Sequence, residues 1–142
     1  MNGNIGVWID HREAVVVAID ETGQESVSRI QSNVESRTRL AGGSRGRMPY
    51  APQDVAKEQK RDHRFQHHLN EYYDRLIEIL READVIWIFG PGEAKNEFWK
   101  KIEKIRSMAG RLSEPEAADK MTVPQIKAKV REHYNFPNRI AY

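Results

Sequence analysis

The sequence of 142 residues has the length of a single ordinary domain, and its 23 Lys and Arg against 21 Asp and Glu leave a net charge of +2. It contains no cysteine, which excludes a disulfide framework and a thiolate metal site. The N-terminus lacks the basic and apolar regions of a secretory signal, and the longest apolar runs, residues 14–19 and 85–89, have the length of strands. These features predict a cytoplasmic protein without a membrane span.

The positive charge is concentrated in one part of the chain. Residues 37–64 hold eight Lys and Arg against three Asp and Glu, a net charge of +5. The rest of the chain is therefore net acidic, at −3. An asymmetry of this kind points to a polyanionic partner.

The first third of the chain predicts three strands joined by short turns. Residues 5–9 are apolar and β-branched, and they end at a turn over residues 10–12. Residues 13–19 contain a continuous valine run, which is typical of a strand covered on both faces. After a turn at residues 20–23, residues 26–31 alternate polar and apolar side chains. Together they predict an antiparallel meander.

The next segment, from about residue 32 to residue 53, has a different composition. It holds three glycines, two prolines and four arginines, with almost no apolar periodicity. This composition predicts a mobile basic loop. We expect one domain over residues 1–142, with this loop inside it and an irregular tail over residues 135–142.

A long helix is predicted from Asp54 to Glu82. Asp54 is a candidate N-cap. The first two turns, up to Arg64, are mostly charged and are expected to project past the core. The later turns carry an apolar stripe at helical spacing, made of Phe65, Leu69, Tyr72, Tyr73, Leu76 and Leu80.

The second half of the chain predicts a strand–turn–helix unit and a capped final helix. Residues 85–89 form a buried strand, a Gly-Pro-Gly turn breaks it, and a helix begins near Glu93 or Ala94. Residues 111–113 are a candidate last strand, and Thr122 caps a third helix. This order of elements predicts an α/β fold of the ribonuclease-H-like type, in which helices flank a mixed sheet of an antiparallel three-strand meander plus parallel strands.

The basic loop and the start of the long helix are the first candidate site. Glycines allow the backbone to approach a phosphate or ribose closely, and arginines bond phosphates and stack on bases. The alternative is a surface loop that is basic for solubility. The residues assigned to RNA binding are Gly42, Gly43, Arg45, Gly46, Arg47, Lys57, Lys60, Arg61 and Arg64.

A possible anion-binding turn is the second candidate. Gly90 and Gly92 follow a buried strand and precede a helix, where free N–H groups can bind an anion, and Lys95 lies in the first turn of that helix. The spacing matches neither a phosphate-binding Walker loop nor a dinucleotide fingerprint. A tight turn that packs the helix on the strand explains the glycines equally well.

Enzymatic alternatives have weaker support. His63 and His67 have the spacing of metal ligands but lack a third partner, and a solvated helix face is the favoured interpretation. Asp10 ends the first strand, where a two-metal nuclease needs carboxylates, but Asp is also a common turn residue. A hydrolase that uses Ser44 or a positioned water is a further alternative. We assign no catalytic residue, metal, cofactor or small-molecule substrate.

The chain resembles the middle domain of archaeal and eukaryotic class-one peptide release factors and of the ribosome-rescue protein Pelota. The resemblance covers residues 4–134 and lies in the order of four motifs: residues 6–17, Gly42-Gly43, the basic helix entry at residues 57–64, and the strand–turn–helix at residues 88–98. It implies a ribonuclease-H-like fold and a place on the ribosome near the acceptor end of tRNA. The release factors carry Gly-Gly-Gln in this loop, whereas Ser44 follows Gly43 here, so hydrolysis of peptidyl-tRNA is not implied.

We therefore expect a translation-associated module that binds the ribosome or tRNA and is related to release and rescue factors. The alternatives are a hydrolase acting on peptidyl-tRNA or nucleic acid, and a protein-interaction domain that binds no RNA.

Overall fold

The computed structural model describes residues 3–33 and 52–136, and for residues 52–62 it describes the backbone. The elements in chain order are β1 (Asn4–Ile9), β2 (Glu13–Ile19), β3 (Glu25–Gln31), α1 (Pro52–Leu80), β4 (Val85–Gly90), α2 (Ala94–Glu103), α3 (Arg106–Ala109), β5 (Glu116–Ala117) and α4 (Val123–His133).

The strands form one five-stranded mixed sheet in the order β3-β2-β1-β4-β5. β1, β2 and β3 pair antiparallel as a meander, whereas β4 pairs parallel with β1, and β5 pairs parallel with β4. The predicted α/β class and the ribonuclease-H-like combination of a meander with parallel strands are confirmed.

Helices cover both faces of the sheet because β1, β2 and β4 are apolar on both sides. On one face, Val7 and Ile88 pack with Leu76 of α1 and Phe98 of α2 in the larger core. The opposite face is covered by α4. Its smaller core contains Trp8, Val15, Val17, Ile19, Trp87, Phe89, Ile126 and Val130.

Two glycines permit close packing of the sheet. A Cβ on Gly6 of β1 would lie 2.4 Å from Cγ2 of Val130, so α4 rests almost directly on the β1 backbone. Gly90 has a φ of +151°, and a Cβ there would lie 2.2 Å from the Ile9 carbonyl oxygen. The end of β4 can therefore approach β1 because residue 90 has no side chain.

A ring stack fixes the end of α4 against β4. The indole of Trp87 stacks on Phe89, at a centroid distance of 4.1 Å, and on His133, at 3.8 Å and nearly parallel. Trp87 Nε1 also donates to the Glu116 carboxylate at 2.9 Å.

Some boundaries differ from the sequence expectations. The long helix begins at Pro52, so Asp54 lies in its first turn and is not the N-cap; proline is well tolerated at this position. The last strand is β5, whereas residues 111–113 contribute an isolated bridge between Leu112 and Ile86. The predicted cap of the last helix is confirmed as a capping box between Thr122 and Gln125.

Among the described helices, none combines the length and the apolar character needed to cross a membrane.

Candidate nucleic-acid interface

The chain leaves the sheet at a fixed point next to the β1–β2 turn. Ser32 is buried; its N–H donates to the Arg12 carbonyl at 2.9 Å, and its hydroxyl donates to the His11 carbonyl at 2.6 Å. Residues 34–51 lie outside the described residues, and the chain is described again from Pro52, where α1 begins. The start of the predicted loop is therefore anchored to β1–β2, and its end is continuous with a helix.

Five of the sequence-predicted RNA-binding residues lie outside the described residues. They are Gly42, Gly43, Arg45, Gly46 and Arg47. Their assignment stays a prediction.

A hydrogen bond from Tyr72 connects α1 to the residue that follows β1. Its hydroxyl donates to the carbonyl of Asp10, directly after β1, at 3.1 Å. Pro52 is twenty residues earlier on the same helix, which corresponds to about 30 Å at 1.5 Å per residue. Leu69 is the first residue with a buried side chain among those described on α1, and Phe65 is partly buried against the same core. Among the described side chains of α1, contacts with the core therefore begin at Phe65 and Leu69.

The acidic positions of this first part follow the core-facing side of the helix. Eighteen residues make five complete turns of an α-helix. Positions 54, 58 and 62 are acidic, and they lie eighteen residues before the buried Tyr72, Leu76 and Leu80. The helix side that packs on the sheet further along α1 thus carries acidic positions in its first part.

The basic positions lie on a different side of α1. Lys57, Lys60, Arg61 and Arg64 are separated by three, one and three residues, a spacing that places them along one side of a helix. Arg75 follows Arg64 by three turns on the same side, and its guanidinium donates to the Gln31 carbonyl at 3.3 Å. The described part of this side, at Arg75, therefore lies next to the end of β3.

An open cleft of about 690 Å³ lies at the end of the sheet next to the β1–β2 turn, and α1 contributes Phe65 to it. Asp10 and Glu13 contribute negative charge, but Asp10 accepts hydrogen bonds from the backbone N–H groups of Arg12 and Glu13, both at 2.8 Å, and Glu13 pairs with Arg29 at 2.9 Å. Both carboxylates thus have partners within the fold. The lining residues are Asp10, His11, Arg12, Glu13, Arg29, Gln31, Ser32, Asn33, Phe65 and Lys120.

The geometry of Asp10 explains its role without a metal. Its carboxylate closes the β1–β2 turn, which is the usual role of Asp in a turn. Within the part of the chain that the structure describes, no group of three or more His, Asp or Glu is arranged to hold a metal ion. His67, one of the two histidines at metal-ligand spacing, pairs with Glu71 of its own helix at 3.5 Å.

The Gly-Pro-Gly turn has a structural explanation for each residue assigned to anion binding. Gly90 permits the contact with β1, and Gly92 has a φ of +66°, a conformation that favours glycine. The ammonium of Lys95 donates to the Gly92 carbonyl, and the Glu93 carboxylate accepts from the Asn96 side chain beside it. Anion binding here stays a prediction.

A network of three side chains lies at the end of the sheet next to the β1–β2 turn. No pattern in the sequence predicts this network. Glu97 Oε1 accepts from the Tyr73 hydroxyl at 2.7 Å and lies 3.0 Å from His11 Nε2. Burial and the hydrogen bond to Glu97 raise the pKa of Tyr73, so its hydroxyl keeps its proton. The network joins α1, α2 and the β1–β2 turn, and it holds α1 in place where the helix passes the edge of the sheet.

Neither a protein-family model nor a curated protein matches the sequence. Among solved structures, the fold is similar to the crystal structure of an archaeal translation termination factor, at a TM-score of 0.46 and 14% identity. The match covers 92% of this chain and 37% of the termination factor chain.

Proposed function

We propose that this protein is a translation-associated RNA-binding module in which the basic side of α1 and residues 34–51 contact phosphates of ribosomal RNA or tRNA. The observation that carries the proposal is the placement of the four basic positions of α1. They have the spacing of one helix side, and Arg75, three turns after Arg64 on that side, bonds to Gln31 at the end of β3, shortly before the arginine-rich segment.

The charge pattern supports RNA more than a small molecule as the partner. A helix that presents cations over two turns matches the repeated charge of a phosphate backbone, and neutralising several phosphates supplies most of the affinity of such interfaces. The ribosomal context rests on the motif resemblance to release and rescue factors. Because Ser44 follows Gly43, the proposal includes RNA contact and excludes peptidyl-tRNA hydrolysis.

The salt dependence of RNA affinity tests this proposal. Binding of the full chain to tRNA and to ribosomal RNA is measured by filter binding over a range of salt concentrations. We expect the double variant Lys60→Gln and Arg61→Gln to weaken binding and to reduce the slope of log affinity against log salt by roughly 1.4 to 1.8, since each lost phosphate contact removes about 0.7 to 0.9.

A matched variant separates this surface from a general effect of charge. Lys100→Gln with Arg106→Gln removes one Lys and one Arg at exposed positions on α2 and α3. It should leave the slope unchanged. Equal effects of the two pairs, or no RNA affinity of the native chain at low salt, would refute the proposed interface.

The segment outside the described residues is tested separately with Arg45→Ala and Arg47→Ala. If both regions contact the same RNA, we expect this double variant to reduce the slope of log affinity against log salt about as much as the α1 pair does. Sedimentation with ribosomes at low and high salt then tests the translational context. RNA affinity without ribosome association would retain the RNA-binding proposal and remove its translational part.

A further inference from the structure

β3 forms one edge of the sheet, and within the described residues no strand pairs with its outer side. It is seven residues long, and five of these are exposed. A strand edge of this length offers its free N–H and C=O groups to another strand.

The hydrogen bonds at both ends of the β2–β3 ladder show which residues face inward. The Ser32 N–H donates to Arg12 at one end, and the Asp20 N–H donates to Gln24 at the other. In an antiparallel pair the hydrogen-bonded positions alternate. The even-numbered residues of β3 therefore bond to β2, and the odd-numbered residues direct their backbone groups outward.

Gln31 supports this assignment from the outer side. Its carbonyl accepts from Arg75, a residue outside the ladder. The remaining odd residues are Glu25, Val27 and Arg29, and their N–H and C=O groups face away from the sheet. Three alternate residues with outward backbone groups provide up to about six hydrogen bonds to an added antiparallel strand.

The side chains at these positions are complementary to a second copy of the same strand. Val27 is 39% exposed at the centre. Glu25 and Arg29 lie two residues to either side of it, on the same face of the sheet. An antiparallel pair centred on Val27 places Glu25 of each copy opposite Arg29 of the other, whereas centring on Arg29 would place like charges opposite each other.

We propose that the outer edge of β3 pairs with β3 of a second copy of this chain, antiparallel and about a two-fold axis at Val27. The two sheets become one continuous sheet of ten strands. Arg29, already paired with Glu13 at 2.9 Å, then lies between two carboxylates. Glu25 of the second copy, which also bonds to Lys127 and Arg131 of its own chain, contributes the other carboxylate, so charges of opposite sign alternate across the interface.

A cysteine placed at the axis tests the register. Residues in a hydrogen-bonded antiparallel pair have Cα atoms about 5.5 Å apart, within the range that a disulfide spans. The chain has no cysteine, so Val27→Cys introduces the sole thiol. Under mild oxidation we expect rapid formation of a covalent dimer. Val85→Cys is the matched control because Val85 is exposed to a similar extent, 37%, and lies away from this edge.

Sedimentation equilibrium of the nuclease-treated chain tests the association without RNA. We expect a reversible dimer whose dissociation constant rises about tenfold in Val27→Lys, which places two positive charges opposite each other, and stays unchanged in Val85→Lys. A native chain that stays monomeric at every concentration overturns the proposal. This includes the outcome in which residues 34–51 of the same chain occupy the outer edge of β3. Equal effects of the two lysine variants, or equal cross-linking of the two cysteine variants, also overturn it.

Discussion

The ion pair between Glu25 and Arg131 is expected to contribute more to stability than any exposed pair, and Glu25→Gln tests this. Glu25 accepts from Arg131 Nε at 2.8 Å and pairs with Lys127 at 3.0 Å. The Arg131 side chain is 4% exposed, and its guanidinium also donates to the Gly23 carbonyl at 2.7 Å. These contacts fasten α4 to the edge strand β3.

The magnitude follows from the burial of the arginine. Breaking a fully buried pair costs about 3 to 5 kcal/mol because a charge stays buried without its partner. Glu25 is 16% exposed and Arg131 keeps its bond to Gly23, so water and a carbonyl compensate part of the loss. The amide of the variant also retains an acceptor. We therefore expect a loss of about 1 to 2 kcal/mol in the free energy of unfolding.

The matched control is Glu78→Gln, which removes the same charge from an exposed pair. Glu78 and Arg81 lie 2.9 Å apart with side chains 68% and 49% exposed, and such pairs contribute about 0 to 1 kcal/mol. The assay is urea unfolding at pH 7 and fixed protein concentration, followed by tryptophan fluorescence. Equal destabilisation by the two variants would refute the reasoning.

The pH dependence of this difference gives a second readout. Burial alone would raise the pKa of Glu25, but the bonds from Lys127 and Arg131 outweigh it, so the pKa lies below its ordinary value of 4.5. The folded state then binds fewer protons than the unfolded state between the two pKa values. The stabilisation is complete above the ordinary value and is lost as pH falls through the lowered pKa. The difference between the native chain and Glu25→Gln should shrink over that interval.

Two further predictions concern α4. Gly6→Ala should destabilise the fold by about 1 to 3 kcal/mol because the new methyl group meets the stiff, buried Val130, and the combined variant with Val130→Ala should lose less than the sum of the single losses in urea unfolding. Burial against Trp87 lowers the pKa of His133, although the Glu116 carboxylate opposes the shift. The contribution of His133 to stability should be complete above the ordinary value of 6.5 and fall as pH decreases toward the lowered pKa, and an NMR titration that places its midpoint at or above 6.5 would contradict this.

The strands and long helices were predictable because their signals are local. The valine run of β2 and the apolar stripe from Phe65 to Leu80 show directly in the sequence which sides of the strand and of the helix are buried. β5 is two residues long and its residues are exposed, so no apolar pattern marks it. Its position depends on pairing with the end of β4, a tertiary contact that periodicity does not encode.

The candidate site was predictable in its charges and not in its geometry. The basic residues of α1 are visible in the sequence, but the bond from Arg75 to Gln31, which connects α1 to the end of β3, is a tertiary contact that no local pattern encodes. The network of His11, Tyr73 and Glu97 joins residues up to 86 positions apart. Tyr73 is marked in the sequence as part of the apolar stripe, but its hydroxyl partner Glu97, and His11, are ordinary polar residues in their local context, so no local pattern predicts the network.

The polar groups at the end of β1 take part in hydrogen bonds that connect the sheet with α1. The Asp10 carboxylate closes a turn, and its carbonyl accepts from Tyr72 of α1. Glu97 accepts from Tyr73, the next residue of the same helix. These bonds hold the middle of α1 against the end of the sheet. Carboxylates engaged in this way help to orient α1 on the sheet.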